Sequence, residues 1–144
     1  MMGRISIVGL GPGAEELVTP EVMQVIAEAT DIVGYIPYVA RIAPRDGLVL
    51  HASDNRVEID RSRHALELAS LGARVVVVSS GDPGVFAMAA AVLEAVEHGA
   101  AEWRDLDICV LPGITAMLAT AARVGAPLGH DFCAINLSDN LKPW

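Results

Sequence analysis

The chain has little with which to hold a metal or close a cross-link. Its two cysteines, Cys109 and Cys133, sit far apart in apolar segments and in no Cys-x-x-Cys spacing. Buried free thiols are the expectation, not a disulfide or a metal site. The four histidines, His51, His64, His98 and His130, are scattered, so no metal centre is expected. Hydrophobic residues make up 53% of the chain, yet no apolar run approaches the roughly 18 residues a membrane span needs. No Gly-Lys-Ser/Thr occurs, which excludes a phosphate-gripping P-loop. Basic residues number 10 against 18 acidic ones, a formal charge of −8. That balance argues against nucleic acid as a partner, because counterion release needs clustered Lys and Arg. The chain enters an apolar stretch at Ile5, leaving no room for a signal peptide, so a cytoplasmic location is expected. There is no low-complexity segment and no internal repeat.

What is present is an alternation of short apolar strands and helical segments. Val75-Val-Val-Val78 is a run of β-branched residues of the kind buried on both faces of a parallel sheet. It stops abruptly in Ser79-Ser80-Gly81-Asp82-Pro83-Gly84. Asp82 before Pro83 reads as a helix start, with a helix from Val85 to about Glu97. Ile5-Ser-Ile-Val8, Asp31-Ile-Val-Gly34, Gly47-Leu-Val-Leu50 and Asp107-Ile-Cys-Val-Leu111 read as further strands. A helix is expected from Thr19-Pro20, carrying Val22, Met23 and Ile26 inward. Another should follow a capping box at Asn55 and Glu58, run to Leu71 and stop at Gly72. A last one follows Thr115 to about Val124, closed by Gly125-Ala-Pro127. Tyr35-Ile-Pro-Tyr38 reads as a stiff aromatic turn. The spacing implies an α/β fold: a mostly parallel, doubly wound sheet with helices on both faces.

At 144 residues the chain is one domain, or one domain and part of a second. The expected division is an α/β domain over 1–125 and, over 126–144, a linker with the first strand of a second unit, Phe132-Cys-Ala-Ile-Asn-Leu137.

In a parallel sheet the turns after the first, fourth and fifth strands leave on one edge, where such folds bind ligands. Gly9-Leu-Gly11-Pro-Gly13-Ala14 matches the dinucleotide pattern Gly-x-Gly-x-x-Gly/Ala by letters alone. Pro12 removes a backbone donor, however, the next helix waits until Thr19, and the second strand ends in Gly34-Tyr35 where a ribose-binding acid should stand. Nicotinamide binding is therefore not expected. The edge offers short side chains, backbone groups and one carboxylate, which suits a ligand with hydroxyls and an adenine better than a polyphosphate. Asp82 and Thr115 each have two readings at this level, helix-start residue or ligand contact. Arg41, Arg45, Arg56, Arg61 and Arg63 crowd five of the ten basic residues into 23 positions. They form either a solvated stretch balanced by Asp46, Asp54, Glu58 and Asp60, or a rim that holds a polycarboxylate.

Gly9-Leu-Gly-Pro-Gly13, Ser80-Gly-Asp-Pro83 and Pro112-Gly-Ile-Thr-Ala116, in this order and spacing, resemble the tetrapyrrole methylase family, whose members depend on S-adenosylmethionine. Gly34-Tyr-Ile-Pro-Tyr38, Ser53-Asp-Asn55, Gly129-His-Asp-Phe132, Leu137-Ser-Asp139 and Lys142-Pro-Trp144 resemble the branch that methylates C-17 of precorrin-3B in cobalamin biosynthesis. The resemblance covers essentially the whole chain.

It implies a two-domain enzyme, usually a homodimer, that holds the methyl donor between two α/β halves and releases S-adenosylhomocysteine. Pro12, Ser80, Gly81, Asp82, Val85, Thr115 and Ala116 would line the donor site. An anionic tetrapyrrole would be the substrate, giving the arginine cluster a purpose, with Tyr38, Arg41 and Arg45 as candidate contacts. Methyl transfer to carbon is an in-line displacement that needs alignment and no protein nucleophile. The accompanying ring contraction calls for acid or base help, for which Tyr35, His51 and Asp54 are the candidates. The chain stops where the second half of the family's fold begins. This leaves two further expectations open, a methyltransferase for another tetrapyrrole position or an inactive half.

Overall fold

Val75, Val76, Val77 and Val78 are all buried, and they alternate between two cores because successive side chains of a strand point to opposite faces. Val75 and Val77 join Ile5, Ile7 and Val33 on one face. Val76 and Val78 join Val8 and Ile32 on the other. Burying each such side chain contributes about 1.5–3 kcal/mol, so this strand anchors both layers. The computed structural model describes residues 3–138; Asp139 and the Lys142-Pro-Trp144 motif lie outside the described residues.

The sheet is built from β1 (Arg4–Gly9), β2 (Asp31–Tyr35), β3 (Val49–Ser53), β4 (Arg74–Ser79) and β5 (Asp107–Leu111). The order across it is β3-β2-β4-β1-β5, and every pairing is parallel. Helices cover both faces as expected. α3 (Glu58–Ser70) and α4 (Met88–His98) pack over the first core through Ala65, Leu66, Ala69, Met88 and Val92. α1 (Pro20–Glu28) and the single turn α2 (Ile36–Val39) cover the second. α5 (Ala116–Arg123) buries none of its residues. α3 ends at a Schellman-type stop: Gly72 at φ +95° donates to the Ala69 carbonyl and Ala73 to that of Leu68.

Several elements depart from the sequence reading, each for a local reason. The third strand begins two residues later than expected, because Gly47 sits at φ +77° in a turn and His51, Ala52 and Ser53 pair with Val33, Gly34 and Tyr35. The fourth helix starts at Met88 rather than Val85, since Phe86 holds φ +53° and breaks the helical path. Asp82 does not cap it; the position before Met88 is Ala87, with no side-chain cap. The capping box at Asn55 and Glu58 does not form either. The Asn55 side chain accepts from the Arg56 N–H instead, and Val57 precedes the helix without a side-chain cap.

Met23 is 56% exposed, because α1 turns Val22, Val25, Ile26 and Ala29 to the core and Met23 lies about 100° away from Val22 around the axis. Tyr35-Ile-Pro-Tyr38 is mostly helical rather than an irregular turn. Both cysteines are free, but Cys109 is half-buried on an edge strand and Cys133 is exposed. Residues 132–137 form no strand and present Phe132, Ile135 and Leu137 to solvent; a strand needs a neighbour to satisfy its backbone groups.

Candidate functional site

Parallel pairing of β4, β1 and β5 brings their carboxyl ends level: Val8 pairs with both Val78 and Leu111. The three turns that follow then meet backbone to backbone. Leu10 donates to the Ser79 carbonyl at 2.8 Å, and Gly11 and Gly81 exchange two bonds, 3.2 Å and 2.9 Å. Both glycines hold positive φ, +68° and +60°, a conformation side chains disfavour. A Cβ on Gly9 or on Gly113 would clash with the Gly81 carbonyl oxygen. Glycine at these positions serves close approach of the three turns.

Asp82 ties the second turn to the third. One carboxylate oxygen accepts the Gly84 N–H at 2.8 Å, and the other accepts the Gly113 N–H at 3.0 Å. Each oxygen keeps a further lone pair for a ligand. Thr115 is buried and caps α5, accepting the Leu118 N–H at 3.2 Å. Ser80 reaches back to the Gly11 carbonyl at 3.5 Å. Pro12 is half-buried, whereas Val85 and Ala116 are exposed on the same set of turns. The structure thus gathers Pro12, Ser80, Gly81, Asp82, Val85, Thr115 and Ala116 at one sheet edge. A carboxylate at this edge suits a cationic sulfonium and ammonium donor such as S-adenosylmethionine, while the Arg41 guanidinium lies against the carbonyls of the first turn.

The two rim arginines have other work. Arg41 places its guanidinium on the carbonyls of Leu10 at 2.6 Å, Gly13 at 3.3 Å and Gly11 at 3.4 Å, bracing the first turn from beneath. Arg45 binds the carbonyls of Ala29 at 2.6 Å and Ala27 at 2.9 Å, closing the carboxyl end of α1. That end lies at the opposite edge of the sheet, where Thr30 donates to the Arg74 carbonyl at the start of β4.

Tyr35 and Tyr38 stand at the end of β2 with their rings edge to face, centroids 5.4 Å apart. His51 has both ring nitrogens engaged, Nε2 with Asp31 at 2.8 Å and Nδ1 with His64 at 3.0 Å. Asp54 is exposed in the loop after β3, its carboxylate accepting the Asn55 N–H. That loop is held by Arg61, which donates to Ser53 Oγ at 2.8 Å and to the carbonyls of Asp54 at 2.6 Å and Ser53 at 3.3 Å. Arg61 is only 6% exposed. Burial draws its pKa below the usual arginine value, opposed by Glu58, Tyr38 and Tyr35. Sequence reasoning placed Arg61 in the cluster without singling it out. The available signal was its position: it shares the inward stripe of α3 with Ala65 and Ala69, where an arginine is out of place.

Comparison with known proteins identifies the family. A profile of the tetrapyrrole (corrin/porphyrin) methylases matches residues 4–144. The chain is 56% identical over its full length to a precorrin-3B C(17)-methyltransferase of Sinorhizobium sp, covering 57% of that protein. It is 40% identical to a probable cobalt-factor III C(17)-methyltransferase of Salmonella typhimurium, covering 97% of this chain and 57% of that one. Among solved structures, the methyltransferase CobJ superposes with a TM-score of 0.93 at 72% identity, over 98% of this chain and 59% of that chain. A uroporphyrin-III C-methyltransferase from Thermus thermophilus, complexed with S-adenosyl homocysteine, superposes with a TM-score of 0.68 at 29% identity, over 90% of this chain and 54% of that chain. The chain thus spans somewhat over half the length of these relatives. A family match across nearly every residue, on a parallel sheet whose three glycine turns converge at one edge, makes the chain a member of the tetrapyrrole methylase family.

Proposed function

We propose that this chain supplies the donor-binding half of a methyltransferase that moves the methyl group of S-adenosylmethionine to C-17 of precorrin-3B, with ring contraction to precorrin-4, in cobalamin biosynthesis. The observation that carries the reading is the convergence of the three turns, pinned by the Asp82 carboxylate on Gly113. Identity to the precorrin-3B relative, 56% against 40% for the cobalt-factor III relative, favours the cobalt-free substrate. On this reading residues 1–125 are the first domain, and 126–144 lead into a second one. The enzyme works as a cytoplasmic homodimer on an anionic tetrapyrrole.

When bound, S-adenosylmethionine supplies an electrophilic methyl group on a sulfonium. Pro12, Ser80, Gly81, Val85, Thr115 and Ala116 shape the cleft, and Asp82 offers negative charge to the donor's cationic groups. Alignment of the two reactants can supply about 7–11 kcal/mol of the barrier, consistent with a site that presents no activated nucleophile among the described residues. For proton transfer during ring contraction, the Tyr35 hydroxyl and the second Asp54 carboxylate oxygen have no hydrogen-bond partner among the described residues, whereas His51 is committed to Asp31 and His64.

The test is incubation of the chain with precorrin-3B and S-adenosylmethionine labelled in the methyl group. Label recovered in the macrocycle at C-17 supports the reading. Label recovered at another carbon, or a failure to bind both the donor product and the macrocycle, contradicts it.

A further inference from the structure

Away from the three turns, a pocket of about 310 Å³ lies between the edge strand β3 and the first half of α3, lined by Val33, His51, Ser53, Asp60, Arg61 and His64 among others. Arg61 is its notable wall. Among the described residues no carboxylate lies within ion-pair distance of this buried guanidinium. Its partners are the neutral oxygens of Ser53 and Asp54 and, for Nη1, only the Met88 thioether at 3.6 Å. A thioether is a weak acceptor, so Nη1 keeps most of its donor capacity. A buried charge with no counter-charge in ion-pair contact is unfavourable, and groups perturbed by burial cluster at functional sites.

The two histidines on the lining are taken up by Asp31 and by each other. Asp31 engages His51 Nε2, so that ring donates to the carboxylate and turns its Nδ1 lone pair toward His64 Nε2. The Asp31 carboxylate is further held by the Thr30 hydroxyl at 2.7 Å. Asp60 is the one carboxylate on the lining; it is exposed, where solvent screens it, while Arg61 is buried.

The pocket also lies within reach of the three turns. Ser53 is the last residue of β3, on the same sheet edge, and β3 is two strands from β4, about 10 Å away at ordinary strand spacing. A flat macrocycle seated over the ends of β4 and β2 would bring its rim here. We propose that this pocket receives a carboxylate arm of the tetrapyrrole, with Arg61 as its charged partner. The assignment rests on the tetrapyrrole reading above, and it gives the arginine cluster a substrate contact that Arg45, at the far edge, does not supply.

The test measures binding of uroporphyrin III, as a stable anionic macrocycle, and of S-adenosylhomocysteine to the chain and to Arg61→Met, Arg61→Lys and His64→Lys, with thermal melts of each. The expected result is a loss of porphyrin affinity of about tenfold or more for Arg61→Met, partial recovery with Lys at position 61, and a gain of about threefold for His64→Lys, which adds a cation to the lining. Porphyrin binding should also become less salt-dependent in Arg61→Met, a change that a merely structural arginine would not produce. Affinity for S-adenosylhomocysteine should stay unchanged. If Arg61→Met does not fold, His64→Lys, at an exposed position on the lining, decides. Porphyrin affinity unchanged in the folded variants overturns this inference and leaves the tetrapyrrole reading standing. No porphyrin binding by the unsubstituted chain overturns both.

Discussion

The Asp82 carboxylate accepts the backbone N–H of Gly113 at 3.0 Å across 31 positions of sequence. One side chain thereby fixes the turn after β4 against the turn after β5, with the turn after β1 held between them by the Gly11 and Gly81 exchange. The contact requires a bare Cα at position 113, because a Cβ there would run into the Gly81 carbonyl. Gly113→Ala should therefore force the turns apart, at a cost of about 1–3 kcal/mol in urea unfolding, and weaken ligand binding at this edge. An unchanged unfolding midpoint would show that the turns do not meet this closely.

Phe86 combines φ +53° with 63% exposure. Left-handed backbone costs a side-chain-bearing residue about 1–2 kcal/mol, and an exposed ring recovers little through packing. Phe86→Gly is expected to leave the melting temperature unchanged or raise it, since relief of strain outweighs the added freedom of glycine, about 0.5–1 kcal/mol. A loss of about 3 kcal/mol or more, the cost of deleting a buried Phe, would contradict the exposed, strained loop.

Thr115 starts α5, a helix that buries none of its own residues. Thr115→Ala removes the bond to the Leu118 N–H and should cost about 1 kcal/mol, felt locally. Amide exchange should quicken across Ala116–Arg123 while exchange in β1 and β4 stays as it was; Thr115→Ser should behave like the parent chain. Uniformly faster exchange through the sheet would mean that α5 is coupled to the core.

Arg41 and Arg45 should separate cleanly. Arg45→Ala removes the cation at the carboxyl end of α1 and is expected to lower stability by about 0.3–1 kcal/mol without touching ligand affinity. Arg41→Ala releases the carbonyls of Leu10, Gly11 and Gly13 and should weaken S-adenosylhomocysteine binding by loosening the first turn. Equal effects of the two substitutions on binding would refute the separation.

These contrasts mark where sequence stopped being informative. The central strands were legible, because Ile5, Ile7 and the four valines of β4 are buried on both faces and carry the apolar run such burial demands. β3 was misplaced because an edge strand pairs on one side only and needs no such run; His51, Ala52 and Ser53 look like loop. Asp82 before Pro83 has the letters of a helix cap, and only tertiary structure supplies the N–H of Gly113 that captures its carboxylate instead. Arg41 and Arg45 stood out as a charge cluster, but backbone carbonyls, their actual partners, leave no mark in a sequence. The motif positions themselves, Gly9 to Gly13, Ser80 to Pro83 and Pro112 to Ala116, were legible because glycine recurs wherever these turns touch.

The most direct measurement is calorimetric titration of S-adenosylhomocysteine into the chain and into Asp82→Ala. Binding at a single site, weakened about tenfold or more by the substitution, is the predicted result and locates the donor at the convergent turns. Equal affinity of the two proteins, or no binding by the unsubstituted chain, would contradict the account.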